Sequence, residues 1–137
     1  MTASVRERLL VAIVAAVGGV YGLPTPEDER DLPVTIVQDG IDTWSDSYDT
    51  TLCTLPLNVG RAELAASSTR DAQRTQAHAA LAALITAMYT DPTFGGLATS
   101  VSATGGGIQL EAGKSVFAEA AFTVFYQHLR GQPAVIS

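Results

Sequence analysis

The feature that most limits how this chain can fold is the change of pattern at Asp91-Pro92. Before it, residues 75–90 form an alanine-rich run in which Ala77, Leu81, Leu84, Ile85 and Met88 recur at three- and four-residue steps. That is the period of a helix with one buried stripe. At the break, the residue preceding proline is pushed out of the α region, so the helix must stop there. Beyond it, Thr93-Phe94-Gly95-Gly96-Leu97-Ala98 leads to two short strand-like runs, residues 101–103 and 108–111, expected to pair across Gly105-Gly106-Gly107. Residues 116–129 also fit a helical stripe through Phe117, Ala121, Val124, Phe125 and His128. The density of aromatic and β-branched residues in Phe122-Thr123-Val124-Phe125-Tyr126 decides for a strand.

The N-terminal half repeats the alternation of helix and strand. Ser4 followed by Glu7 has capping-box spacing, and Leu9, Leu10, Ile13, Val17, Val20 and Tyr21 predict a core helix over residues 4–21. A secretory leader is the competing reading, because Arg6-Glu7-Arg8 precedes a short apolar run. Glu7 fits such a leader badly, and a bilayer span takes about 20 apolar residues. Residues 24–31 read as an acidic, proline-containing connector. Residues 34–37 read as a strand entered through Pro33, and residues 51–59 as its return. Cys53, Leu55, Leu57 and Val59 share one face of that return strand, and Pro56 assigns it to an edge or a bulge. The polar residues 38–50 between the two form a long hairpin tip. A second helix is expected to start between residues 61 and 69 and to run to Tyr89, with Arg70, Gln73 and Arg74 off its buried stripe. The pattern predicts one domain over residues 1–137, of class α/β (α+β): a small mixed, mainly antiparallel sheet with a long hairpin, packed against two helices.

Composition narrows the function. Charged residues are 16% of the chain and hydrophobic ones 47%. A monomer's surface ordinarily wants about a quarter or more of its positions charged, so some apolar surface is expected to be covered by other copies or partners. A net charge of −6, with Lys114 the only lysine, leaves no basic run to neutralise phosphates. The single cysteine, Cys53, cannot form an internal disulfide.

Motifs of chemistry are weak. Gly113-Lys114-Ser115 looks like the end of a phosphate-binding loop, but Ile108 stands where its first glycine belongs, so a hairpin turn is expected. Asp39, Asp42, Asp46 and Asp49 lack the alternating spacing of a calcium loop and read as a solvated acidic loop. His78 and His128 have no neighbouring ligand at zinc spacing, and no Gly-x-Ser-x-Gly elbow is present. No cofactor and no enzymatic activity are expected. Trp44, the lone tryptophan, lies in the least core-like context of the chain and is either folded back on its own domain or an interface anchor.

The order of an N-terminal helix, a long hairpin, a second helix and C-terminal strands resembles the tail terminator (tail completion, minor tail) proteins of long-tailed bacteriophages. The most specific part runs from Ala77 through Ala83-Leu84-Ile85 and Ala87-Met88-Tyr89-Thr90-Asp91-Pro92-Thr93-Phe94-Gly95-Gly96-Leu97-Ala98, followed by the aromatic strand ending Phe125-Tyr126. The resemblance implies a structural virion protein at the head-proximal end of the tail, assembled in the host cytoplasm. It implies a ring, a homohexamer in that family, that stops growth of the tail tube and offers a surface for head–tail joining. Implied partners are further copies of itself, the tail tube protein and the head–tail connector or stopper protein. DNA passes through such a ring without specific nucleic-acid binding, and no membrane is involved. The strongly polar, Asp-rich hairpin tip departs from many such sequences. Asp39, Asp42, Trp44, Asp46, Tyr48 and Asp49 are the expected interface. The alternatives are a head–tail stopper or adaptor, and a small secreted ligand-binding module with residues 1–22 as its signal.

Overall fold

The computed structural model describes residues 3–22, 32–111 and 114–137. Along the chain run helix α1 (Val5–Val17), strands β1 (Val20–Tyr21), β2 (Val34–Asp39), β3 (Thr43–Ser47) and β4 (Thr50–Leu64), helix α2 (Arg70–Thr90), and strands β5 (Ser100–Glu111), β6 (Ser115–Leu129) and β7 (Gln132–Ile136). They form two helices and one mixed, mainly antiparallel seven-stranded sheet in the order β1-β2-β4-β6-β5, with β3 also on β4 and β7 on β6. The expected α+β class is what the structure has.

The spine is the antiparallel pair β4 and β6, in register from Thr50 opposite Leu129 to Leu64 opposite Ser115. Strand alternation puts Cys53, Leu55, Leu57 and Val59 on the same face as Ala120, Phe122, Val124 and Tyr126. All eight are buried in one cluster with Leu9 and Ile13 of α1 and Leu84 and Met88 of α2. Removing that much apolar surface from water is the main stabilising term. The opposite face, where Leu52, Asn58, Glu119 and Phe125 are exposed, points away from both helices.

Several boundaries differ from expectation. The first helix stops at Val17, because Gly18 takes the left-handed conformation (φ 64) and its N–H closes back on Ala15. Val20 and Tyr21 therefore leave the helix and form β1, parallel to β2. The return strand runs five residues past Val59 to Leu64, so α2 begins only at Arg70, capped by the Thr69 side chain on the Ala72 N–H. Gln73, expected off the stripe, is 2% exposed and donates to the Ser67 carbonyl at 3.0 Å. Ala77, Leu84 and Met88 are buried as expected, with Leu81 and Ile85 packed half-buried against the core.

Pro56 does not make β4 an outer strand: β4 lies between β2 and β6. Its carbonyl accepts from Gly40 N–H at 2.8 Å, so its ring nitrogen faces the gap where β2 has ended at Asp39 and β3 has not begun. A missing donor is harmless there.

The triple glycine is not a turn. β5 runs straight through it, with its register against β6 shifting by a bulge between Ala103 and Gly105. None of the three glycines has a positive φ. Gly106 is required for closeness instead: a Cβ there would lie 2.8 Å from the Glu119 carbonyl oxygen and 3.3 Å from Ala120 Cα. The hairpin turn expected at Lys114 joins β5 to β6, with Glu111 opposite Ser115. Residues 112–113, like the expected connector 24–31, lie outside the described residues.

Candidate interaction surface

The polar stretch 38–50 is mostly a strand and not a loop. β3 continues the line of β2 along the same side of β4, with Trp44 opposite Cys53 and Asp46 opposite Thr51. Serine, threonine and tryptophan at these positions suit a half-solvated strand better than their polarity suggests. The tip shrinks to Tyr48-Asp49, with Tyr48 at φ 57. The long hairpin is real, but its length lies in its arms.

This pairing divides the six expected interface residues into two sets. Asp39 and Asp42 turn inward at the break between β2 and β3. The Asp42 side chain is 3% exposed, so it is not part of a solvated acidic loop. It accepts Arg6 Nε on both oxygens at 3.0 Å and also the Tyr126 hydroxyl. Arg6 further reaches Asp39 at 2.8 Å and the Gly40 carbonyl at 3.1 Å, and Tyr21 donates its hydroxyl to Asp39 at 2.5 Å. One guanidinium thus bridges two carboxylates and ties the start of β3 to α1.

The electrostatics follow from these contacts. Hydrogen bonds to Asp42, the largest influence, raise the pKa of Arg6 against the opposing effect of burial. Burial alone would push the Asp39 carboxyl up, but hydrogen bonds from Tyr21 and Arg6 outweigh it and hold the group below the usual carboxylate range. Burial first, and then Asp42, drive the Tyr126 phenol well above its ordinary value.

The second set faces solvent. Trp44 is 71% exposed and Tyr48 93%. Ile41 is also 93% exposed and was not singled out from the sequence. Its signal was present: an isoleucine between Gly40 and Asp42 in a mostly polar stretch. Asp46 accepts from Thr51 Oγ1 at 2.6 Å and lies 3.4 Å from Arg130 Nε, while the Asp49 carbonyl accepts from Arg130 N–H at 2.6 Å. β3 is exposed along its whole length. Trp44 thus stands on paired backbone, and neither its ring nor that of Tyr48 is covered by the rest of the chain.

The turn after α2 is self-contained. Asp91 Oδ2 accepts from Gly95 N–H at 2.8 Å, and Oδ1 from Thr93 Oγ1 at 3.0 Å. These bonds, led by the Gly95 N–H, hold its carboxyl below the usual range. The turn drives Phe94 (φ 49) into the core at 5% exposure. It joins α2 to β5 and presents no reactive group. Among the described residues no group of three or more His, Cys, Asp or Glu is placed to share a metal ion, and no helix is long and apolar enough to cross a membrane.

No protein-family model matches this chain. No curated protein matches it either. Among solved structures, it is similar to a chain described as "Virion of native gene transfer agent (GTA) particle", with a TM-score of 0.38 and 13% identity over 89% of this chain and 90% of that one.

Proposed function

We propose that this protein is a structural virion component that closes the head-proximal end of a phage tail tube as a ring, stopping tube growth and presenting a surface for head–tail joining. The observation that carries the reading is the exposed, rigidly paired hairpin with Ile41, Trp44 and Tyr48 on its surface. A chain with this little charge has no solvation reason to expose three large apolar side chains together. The sequence order that resembles tail terminators supports the same reading. The alanine-rich α2, the Asp91–Ala98 turn and the aromatic β6 build one continuous joint between helix and sheet.

The mechanism is association alone. Copies bind one another and the last ring of the tube, and the outer face offers no acceptor for another tube subunit. A net charge of −6 per chain, multiplied around a ring, leaves DNA in the channel repelled and not gripped. The partners are other copies, the tube protein and the connector or stopper protein.

The test is to add purified protein to growing tail tubes and measure tube length and end occupancy by electron microscopy. Termination predicts shorter tubes with a ring density at one end only. Tubes of unchanged length with bare ends would refute it. Binding only to assembled head connectors would favour a stopper or adaptor instead.

A further inference from the structure

The hydrogen-bond pattern shows which backbone groups of β5 point outward from its edge of the sheet. Pro56 O accepts from Gly40, so the even-numbered residues of β4 face β2 and β3, and the odd ones face β6. Carried through the register and past the bulge, this leaves the N–H and C=O groups of Gly106, Ile108 and Leu110 pointing off the sheet. Ala103 confirms the direction, because its outward N–H donates to the Tyr89 hydroxyl at 2.8 Å. Among the described residues no hydrogen bond reaches the outward groups of the other three. Edge strands are ordinarily guarded by lysine, proline or inward charge, yet residues 101–110 carry neither a charge nor a proline.

Helix α2 stands beside this edge and is uncharged there too. It packs on β5 and β6 together, with Tyr89 reaching Ala103 and Leu81 Cδ1 3.4 Å from where a Gly106 Cβ would lie. The side of the helix toward the edge therefore carries Leu81, Ile85 and Tyr89, and helical spacing adds His78 and Ala82. Residues 75–90 contain no Lys, Arg, Asp or Glu, although a surface helix ordinarily carries charge on its outer face. In a chain of net charge −6, copies repel one another except where a patch is free of like charge, and this patch is.

We propose that β5 pairs with β5 of a second copy across a two-fold axis at Ile108. The free segment is symmetric about that residue. Ile108 meets Ile108, Gly106 meets Leu110 on either side, and each pair exchanges both hydrogen bonds. A two-fold axis normal to the sheet makes the strands antiparallel and keeps the helices of both copies on one face. Two α2 helices, each centred between β5 and β6, then stand about 10 Å apart, an ordinary distance for packed helices. The half-buried Leu81 and Ile85 of each copy gain apolar neighbours, and Leu110 lies over the bare backbone of Gly106. A second copy is the occupant because the strand and the helix beside it complement themselves under one rotation, with no charge left to pair. The contact stands apart from the ring reading above. One patch used twice closes at two copies, and β3 with Trp44 lies on the opposite edge, free for a different contact.

The test isolates this contact in the full chain. Trp44→Ala removes the hairpin anchor and should still sediment as a concentration-dependent dimer. Adding Ile108→Pro removes the central outward N–H and spares the ladder to β6, as proline on an edge strand permits. The dimer should then weaken about tenfold or more, because one donor is lost from each copy. The melting temperature of the dilute chain should stay close to that of Trp44→Ala. A Trp44→Ala chain that is monomeric at every concentration overturns the proposal, and so does a double variant that dimerises equally well. A parent chain that dimerises but leaves tail tubes bare refutes the ring reading alone. Should the proline variant fail to fold, Ile108→Cys in a Cys53→Ala background replaces it. Facing Cα atoms about 5.5 Å apart across the axis suit a disulfide. Mild oxidation should link pairs of the Ile108→Cys chain and leave a control at the exposed Ser102, Ser102→Cys, unlinked. Any other pattern overturns the two-fold pairing.

Discussion

Arg6 in the first turn of α1 and Asp42 at the gap between β2 and β3 meet across 36 positions of sequence, with Nε 3.0 Å from both carboxylate oxygens. The contact attaches the helix to the hairpin that carries the exposed aromatics. Asp42→Ala removes the acceptor for Arg6 and for the Tyr126 hydroxyl together, leaving the phenol unpaired at a site 3% exposed. The expected loss is about 2–3 kcal/mol, read from chemical denaturation. Tyr126→Phe should lose about 1 kcal/mol, since it removes only one neutral donor. Equal losses from the two would show that Arg6 contributes nothing.

Stability should fall in acid, and part of the fall belongs to Asp39. Its folded pKa lies below the ordinary value, so the unfolded chain binds the proton more readily. Its contribution is complete above the unfolded pKa of about 3.9 and is lost as pH falls through the folded value. The denaturation midpoint of the parent should drop more steeply below about pH 4 than that of Asp39→Asn. Parallel curves would contradict the assignment.

Two neighbouring glycines should respond oppositely. A Cβ at Gly106 would lie 2.8 Å from the Glu119 carbonyl oxygen, whereas one at Gly107 meets nothing within 4 Å. Gly106→Ala should destabilise by about 1–3 kcal/mol, while Gly107→Ala should be neutral or gain about 0.5 kcal/mol from a less flexible unfolded chain. Thermal melts of the pair check it, and a larger loss at Gly107 would mean that the strand does not pass through the triple glycine as described.

Ile13 is fully buried against the sheet. Ile13→Asp places an unpaired charge in the core and should cost about 3–5 kcal/mol. A melt unchanged by this substitution would remove α1 from the core.

What the sequence revealed was whatever local periodicity controls. The stripe from Ala77 to Met88 and the alternation of Cys53, Leu55, Leu57 and Val59 are consequences of one element facing one core, and both are present. The failures share a different cause. β3 and the full length of β5 depend on partners elsewhere in the chain: Cys53 opposite Trp44, and β6 opposite the glycines. Polar or glycine-rich composition pointed to loop or turn, and pairing overrode it. The interface residues divided for the same reason. No spacing connects Asp42 to Arg6 and Tyr126, so its inward position was invisible, while the isolation of Trp44 among polar residues did mark its exposure.

The most direct measurement is a paired one on Trp44→Ala: the thermal melt of the isolated chain, and its assembly by sedimentation and tail-tube attachment. Trp44 is 71% exposed in the single chain, so its replacement should leave the melting temperature within a few degrees of the parent. A tryptophan anchor desolvated at an interface contributes about 2 kcal/mol or more, so assembly should weaken roughly thirtyfold. A variant that melts far lower yet assembles as well as the parent would make Trp44 part of its own domain's core and contradict the claim that this hairpin is a docking surface.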